Sequence, residues 1–379
     1  MRWAWGLALM VLGSSSIAAA RVPEVPHITR RLALMGTTLD LEVTAASRAQ
    51  ALEASEAAVR AIEAAERRLS TWRFDTELSR LDRAAPEVPV SISPALARDL
   101  SAALDCARDT GGAFDPTVGP LVEAWGLRQG GRRPSETEIE TARRATGFTG
   151  LRLATAAAGQ ATALRANASL SIEEGGFGKG AGLSDALAAL SMAPGVSSAI
   201  LDFGGQVAIL GGHPAQVVLA DPDRRERQVL ELSIDRGSLS TSGNGERGVV
   251  IDGERIGHLL DPRTGRPASD FGSLTVWAAD PLRADCLSTG LYVLGAEAAL
   301  AWVVAHPGVE VVALVRYGSA NGGTGTLRAL ASAGWRGRAR SLVPGIDIEF
   351  VGGKPKTTGG GEPWAGTWSP SPPLPSARP

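Results

Sequence analysis

The second half of the chain places short β-type segments next to tight turns, with few helical segments between them. Val249 to Ile251 and Arg255 to Leu260 flank Asp252-Gly253, a two-residue sequence typical of a hairpin turn. Hairpins join antiparallel strands, whereas parallel strands need long crossover connections, usually helices. Because few β–α–β patterns occur, the sequence predicts an α+β fold with mixed β-sheets and packed helices, and it argues against a Rossmann fold.

Helical spacing of apolar residues predicts several longer helices that pack on these sheets. The predicted helices are Ser47 to Leu69, Ser93 to Thr110 (with Ser93 as N-cap), Gly182 to Met192 and Ala284 to Ala305. Residues 127–150 are polar and charged, and we interpret them as a surface insertion with a short helix after Ser135. The predicted strands outside the hairpin are Arg31 to Val43 (interrupted at Met35-Gly36-Thr37), Ser169 to Ile172, Ser198 to Leu201 and Val309 to Val315.

Composition excludes several classes of protein. The chain has 379 residues, of which 44% are hydrophobic and 21% charged, a globular balance that excludes wholesale disorder and a collagenous chain. The formal net charge is −2, so no excess of positive charge is present to release phosphate counterions, and no nucleic-acid partner is expected. Two cysteines are too few for a disulfide framework or a cysteine-based zinc site.

The first twenty residues have the pattern of a secretory signal peptide. Arg2 precedes an apolar segment from Trp3 to Leu12, and Ala18-Ala19-Ala20 fits the small-residue cleavage rule. The apolar segment is shorter than the ~20 residues of a membrane-spanning helix. Lipid attachment is not expected, because no cysteine lies near the cleavage point. We therefore expect a soluble, exported, periplasmic protein that begins at Arg21; a retained N-terminal anchor is the alternative.

The remaining chain divides into one globular part and a tail. Residues 21–350 are predicted to form the globular domain, and no segment in them is apolar enough to predict a stable membrane span. Residues 351–379 are rich in proline, glycine and serine without apolar periodicity, and we predict that they form a disordered tail.

A glycine-rich segment, Gly175 to Gly180, lies between a predicted strand and a predicted helix. Backbone N–H groups beside Lys179 suit a phosphate, especially at a helix N-terminus. The segment is not a Walker A loop, because the GKST ending is missing. The same residues are also typical of a plain strand-to-helix turn.

Two polar segments flank the predicted hairpin. Ser240 to Asn244 carries several hydrogen-bonding side chains, which suit either a polar ligand or an ordinary turn. His258 falls near the end of the second hairpin strand, where strand alternation places it on the same face as Leu260. A lone strand histidine is either structural or a proton carrier, and its position alone does not decide between these roles.

Asp285 and Thr289 open the last predicted helix at i, i+4 spacing, so both side chains project from one face. A carboxylate and a hydroxyl there suit a hard cation such as Mg²⁺, which prefers oxygen ligands. The alternative is that Asp285 only stabilises the helix N-terminus. Phosphate-binding glycines, a metal-type pair and a histidine in one chain together indicate phosphoryl chemistry on a nucleotide-like substrate.

The chain resembles the ApbE family, the FAD:protein FMN transferases. The resemblance covers roughly Leu34 to Val315 and rests on eight motifs in the order that the family has them. The motifs are MGTTLDLEV from Met35, STWRFDTELSRLD from Ser70, GGAFDPTVGPLVEAWG from Gly111, GGFGKG from Gly175, DFGGQ from Asp202, STSGNGER from Ser240, HLLDPRTGRP from His258 and ADCLSTGLYVLG from Ala284.

The resemblance implies a fold with two subdomains around an FAD cleft. It implies FAD as substrate and donor, Mg²⁺ as cofactor, and a threonine or serine hydroxyl of an exported or membrane flavoprotein as acceptor, with release of AMP. His258 matches the family's catalytic histidine. The metal positions match Gly178, Asp285 and Thr289, and the FAD-contact positions match Met35, Trp72, Ala113, Phe114, Asp115, Glu173, Lys179 and Leu260. Glu173 departs from the family pattern, because aspartate is usual there.

Two other functions are compatible with these residues. An FAD pyrophosphatase would use the same metal and cleft with water as the acceptor, giving free FMN and AMP. A non-catalytic FAD-binding protein is the other alternative, although simple binding needs no metal pair.

Overall fold

The protein is described from a computed structural model that covers residues 26–155, 160–245, 248–317 and 326–352. The predicted signal peptide, and the predicted tail from residue 353 onward, lie outside the described residues. The last described strand ends at Val351, one residue inside the segment predicted as tail.

The helices of the described residues confirm most of the predicted ones. They are α1 (Arg48–Leu69), α2 (Glu77–Arg83), α3 (Pro94–Asp109), α4 (Gly119–Ala124), α5 (Glu136–Ala145), α6 (Gly178–Met192), α7 (Pro281–Leu294) and α8 (Ala296–Ala305). Ser47 caps α1, Ser93 caps α3 with Pro94 in the first turn, and Ser135 forms a capping box with Glu138 at α5. The short helices α2 and α4 were not predicted.

Nine of the nineteen strands in the described residues join one large mixed sheet. The strands are β1 (His27–Leu34), β2 (Thr37–Ala45), β3 (Val90–Ile92), β4 (Leu151–Thr155), β5 (Ala161–Arg165), β6 (Val196–Phe203), β7 (Gln206–Leu210), β8 (Ala215–Ala220), β9 (Gln228–Ile234), β10 (Gly237–Gly243), β11 (Val249–Ile251), β12 (Glu254–Ile256), β13 (Leu260–Asp261), β14 (Arg266–Pro267), β15 (Gly272–Ala278), β16 (Val309–Tyr317), β17 (Thr326–Ser332), β18 (Ala339–Ser341) and β19 (Ile348–Val351). The large sheet has the order β1-β2-β6-β7-β10-β15-β16-β17-β19, and only the β17–β19 pair is parallel. The smaller sheets are β18-β9-β8, β3-β5-β4, β11-β12 and β13-β14.

The core lies on both faces of the large sheet. Helices α1 and α6 pack on β2, β6 and β7, while α7 packs on β15, α8 packs on β16, and α3 packs against α7. The sheet β18-β9-β8 covers the opposite face around β10, β15 and β16. Strand β15 is therefore buried at every residue, including its polar residues Ser273 and Thr275. The α+β class with mixed sheets is confirmed; the division into two subdomains stays a prediction.

Glycines break two of the predicted elements. The interruption predicted within Arg31 to Val43 is confirmed: Met35 and Gly36 both take positive φ in the turn that joins β1 to β2. The single helix predicted over Ala284 to Ala305 is wrong: Gly295 has φ +91° and separates α7 from α8.

Two other predicted strands differ from the observed ones. The strand predicted at Ser169 to Ile172 is wrong: Ser171 makes one isolated bridge, and Asn167 and Arg165 bond the backbone of Leu170. The second hairpin strand ends at Ile256 rather than Leu260, and Leu260 belongs to β13, so His258 lies in the connection between them. The Asp252-Gly253 turn itself is confirmed, with φ of 52° and 80°.

A disulfide joins Cys106 of α3 to Cys286 of α7, with Cα atoms 6.3 Å apart. Both cysteines are buried in the core. The bond links the helix that precedes the Gly111 motif to the helix that carries Asp285. Among the described residues, no helix has both the length and the hydropathy needed to cross a bilayer.

Candidate active site

Asp285 lies on the second turn of α7, which Asp280 caps by accepting the N–H of Arg283 at 2.9 Å. The Asp285 carboxylate is buried and accepts three hydrogen bonds. They come from the Lys179 ammonium at 3.2 Å, the Gly180 backbone N–H at 2.9 Å and the Ser240 hydroxyl at 3.3 Å. This carboxylate therefore points at the start of α6 and does not cap its own helix, which excludes the alternative reading of Asp285.

Glycine at position 180 makes this approach possible. A Cβ atom there would lie 2.6 Å from the Cα of Leu282 and from the carbonyl oxygen of Pro281. Only a residue without a side chain lets the first turn of α6 come this close to α7. The predicted glycine loop therefore belongs in part to the helix, because α6 begins at Gly178, four residues earlier than predicted.

The Ser240 segment is a strand and not a turn. On β10 the alternation points Ser240 and Ser242 at α7, where both approach the Ser288 hydroxyl, at 3.2 and 2.9 Å. Thr241 points to the other face and pairs with the Thr275 hydroxyl at 2.9 Å. The two serines thus connect the strand to the helix and hold Asp285 through its contact with Ser240.

Asn244 shapes the segment that carries His258. Its Oδ1 accepts the Leu259 N–H at 3.4 Å, and a Cβ atom at Gly257 would lie within 2.5 Å of its side chain. Only glycine at position 257 therefore lets the backbone lie this close to the Asn244 side chain. His258 is half-buried, and it faces the cavity described next.

One cavity of about 450 Å³ collects four of the predicted site residues: Lys179, His258, Asp285 and Thr289. A carboxylate, a hydroxyl and the carbonyl of a nearby residue such as Gly178 are the oxygen ligands that Mg²⁺ prefers. The Asp285 carboxylate is buried and lines this cavity together with the Thr289 hydroxyl. Within the described ranges no group of three or more His, Cys, Asp or Glu side chains is placed to hold a metal ion, so further ligands for Mg²⁺ would come from substrate and water.

The other predicted FAD contacts lie outside this cavity lining. Met35 lies beside α6, with its side chain 3.6 Å from the Cβ positions of Gly178 and Gly182. Phe114 is buried beside Gly176, where a Cβ atom would lie 3.0 Å from its ring. Ala113 and Leu260 are also buried, and Trp72 is 70% exposed.

Asp115 is engaged within the protein. Its carboxylate accepts the Thr117 N–H at 2.8 Å, the Thr117 hydroxyl at 2.7 Å and the Phe148 N–H at 2.8 Å. Burial nevertheless raises its pKa above the usual range. The Asp115 side chain therefore fixes the loop before α4 and, with it, the positions of the neighbouring residues Ala113 and Phe114.

Arg128 was not predicted from the sequence, although it connects two of the predicted FAD contacts, Trp72 and Glu173. Its guanidinium stacks 4.6 Å from the centre of the Trp72 ring, donates to the Thr71 carbonyl at 3.2 Å and forms an ion pair with Glu173. Burial, and then the neighbouring Glu174 carboxylate, raise the pKa of Glu173. Arg128 lies in the predicted surface insertion, and no periodicity or motif there distinguishes it from other exposed arginines.

Comparisons with known proteins agree with the motifs. The profile of the ApbE family matches residues 35–313. The FAD:protein FMN transferase of Klebsiella pneumoniae is 32% identical, over 83% of this chain and 91% of the relative, and that of Escherichia coli K12 is 31% identical over 75% and 83%.

Two solved structures are similar in fold. The ApbE protein of Thermotoga maritima has a TM-score of 0.68 at 27% identity, over 76% of this chain and 94% of that one. The flavin transferase ApbE of Vibrio cholerae has a TM-score of 0.69 at 25% identity, over 83% of this chain and the whole of that one.

Proposed function

The chain belongs to the ApbE family, and on this premise we propose that it transfers FMN from FAD to a protein hydroxyl and releases AMP. The observation that supports this most is the shared cavity of Lys179, His258, Asp285 and Thr289. It brings a cation-type carboxylate, a hydroxyl, an ammonium and an imidazole to one place, which is what phosphoryl transfer requires.

In the proposed reaction, the acceptor oxygen attacks the flavin-side phosphorus of the FAD pyrophosphate. The bond from this phosphorus to the bridging oxygen breaks, and AMP leaves with that oxygen. The acceptor proton goes to His258, which acts as general base in its neutral form. The Lys179 ammonium and backbone N–H groups at the start of α6 stabilise negative charge on the phosphate oxygens.

We propose Mg²⁺ as the cofactor, held by the Asp285 carboxylate, the Thr289 hydroxyl and the Gly178 carbonyl. When bound, it would neutralise charge on the pyrophosphate and orient it for in-line attack. Because Lys179 already touches Asp285 at 3.2 Å, the ammonium and the cation site share one carboxylate.

We propose that the FAD contacts are Met35, Trp72, Ala113, Phe114, Asp115, Glu173 and Leu260, together with Lys179. The aromatic ring of Trp72 is open to solvent on one side, which suits stacking on a planar ring system. For Asp115, the contribution we propose is to fix the loop, because its carboxylate oxygens are already hydrogen-bonded within the protein.

We also propose that the protein is exported to the periplasm and acts on an exported or membrane flavoprotein. The support is the signal-peptide pattern of residues 1–20. N-terminal sequencing of the exported protein tests it: a chain that begins at or near Arg21 is expected, and one that begins at Met1 or carries a lipid would contradict it.

The activity is tested by incubating the protein with FAD, Mg²⁺ and candidate exported flavoproteins. AMP release separates an enzyme from an FAD-binding protein. A flavin that stays on the acceptor after denaturation separates a transferase from a pyrophosphatase. Without AMP formation, the proposed function is wrong.

A further inference from the structure

The cavity at Asp285 has walls that the proposed FAD contacts do not account for. Of those contacts only Lys179 belongs to its lining. The cavity is lined in addition by β8, by exposed residues of β6 and by the start of β7. The volume that these walls enclose is therefore available to the second substrate of the proposed reaction.

Strand β8 offers a free edge to this cavity. In the described part of the chain it pairs only with β9, at the end of the three-stranded sheet. Its alternation places Ala215 and Val217 against the core, while Gln216 and Val218 are exposed. A sheet edge with unpaired backbone N–H and C=O groups is a template for another extended polypeptide.

Strand β6, which also lines this cavity, has a matching surface. On β6, Ile200 is 36% exposed, and Asp202, two residues further along the strand, lies on the same face. Val218 of β8 is 42% exposed, and it lines the same cavity as Ile200. Apolar side chains on both lining strands suit the alternating side chains of an extended segment, and backbone pairing to β8 requires a polypeptide.

We propose that an extended segment of the acceptor protein binds along the free edge of β8 and places its threonine or serine hydroxyl beside His258 and Asp285. The inference rests on the proposed function, because it names where the acceptor of that reaction lies. Strand addition explains how one cavity admits both substrates: FAD reaches the catalytic residues from the Lys179 side, and the acceptor reaches them along β8.

A matched pair of substitutions tests the surface. Val218→Glu places a charge on β8, where we propose that the acceptor segment binds. Val304→Glu makes the same change at an exposed valine of α8, outside the cavity lining. The probe is a pool of short synthetic peptides, each with one central threonine between randomised residues. Peptides that gain FMN are identified by mass spectrometry, and one is then used for kinetics.

We expect Val218→Glu to raise the KM for the selected peptide about tenfold or more, because a carboxylate must be desolvated beside the bound strand. Val304→Glu should keep the wild-type KM. Thermal melting and the Kd for FAD, measured on both variants, show that the fold and the FAD site are intact. A Val218→Glu variant with an unchanged peptide KM would overturn the proposal.

Backbone N-methylation of the selected peptide tests strand pairing directly. Methylation at the residues that pair with β8 should reduce labelling, and a peptide that tolerates methylation at every position would overturn the proposal. AMP release without any labelled peptide would also overturn it, while FAD cleavage would stand. If the wild-type protein releases no AMP, the proposed function itself has failed, so the two failures are distinguishable.

Discussion

The Lys179 ammonium lies 3.2 Å from Oδ1 of Asp285 and joins the first turn of α6 to the second turn of α7. A buried carboxylate is costly without a positive partner. Lysine supplies this partner, and the Gly180 N–H supplies a second hydrogen bond at 2.9 Å. The same carboxylate thus holds two helices together and faces the reaction cavity, so its charge and its hydrogen bonds have to be tested separately.

Asp285→Asn separates the two roles. Asparagine keeps an oxygen that accepts the Gly180 N–H but removes the negative charge, so we expect a folded protein whose FMN transfer is about 10²–10³-fold slower, as when one stabilising group of a transition state is lost. Asp280→Asn on the same helix is the matched control, because asparagine is also a good N-cap. Transfer rates at saturating FAD and Mg²⁺ check this. Wild-type rates in Asp285→Asn would remove it from the metal site.

His258→Ala should lower turnover by about 10²–10⁴-fold, the usual contribution of a general base. The Kd for FAD should change little, because the proposed FAD contacts lie elsewhere. Single-turnover transfer and FAD titration on the same variant check this, with His27→Ala, an exposed position on β1, as control. A weaker FAD affinity with an unchanged saturated rate would make His258 a residue that only shapes the pocket.

Arg128→Met should weaken FAD binding about tenfold, because it removes the stacking on Trp72 and the ion pair with Glu173. Fluorescence titration with FAD measures the effect. Arg132→Met is the control: Arg132 lies in the same insertion but pairs with Glu138. Equal affinities of the two variants would show that Arg128 does not organise the FAD site.

Asp82 makes stability depend on pH. Burial raises its pKa from 3.8 to about 6, although it accepts the Ile172 N–H at 3.0 Å. The folded state therefore holds the proton more tightly than the unfolded state, and the free energy of unfolding falls as the pH rises from about 4 to about 6. Asp82→Asn should gain stability over wild type across this range, by ~3 kcal/mol at most. Denaturant titrations at pH 4 and pH 7 check this, and a difference that does not grow with pH would contradict it.

Local signals in the sequence were sufficient for most helices and for the hairpin. Capping serines before α1, α3 and α5 fix where these helices begin, and Asp252-Gly253 fixes a turn, because each depends only on neighbouring residues. The i, i+4 spacing of Asp285 and Thr289 likewise follows from helix geometry alone.

Features that depend on distant contacts could not be predicted in this way. The segment around His258 leaves the strand because Asn244, fourteen residues earlier, occupies the space beside Gly257. Ser288 contacts Ser240 and Ser242 only after β10 packs on α7. Arg128 meets Trp72 across the fold, and no local pattern marks such a pair.

We propose that FMN passes from FAD to a protein hydroxyl at the cavity of Asp285 and His258. The most direct measurement is the ratio of AMP released to FMN covalently bound on the acceptor, by mass spectrometry of the denatured reaction mixture. We expect one bound FMN for each AMP, with both products formed about 10²–10³-fold more slowly in Asp285→Asn and at the wild-type rate in Asp280→Asn. AMP accompanied only by free FMN, or bound FMN that forms equally in Asp285→Asn, would contradict it.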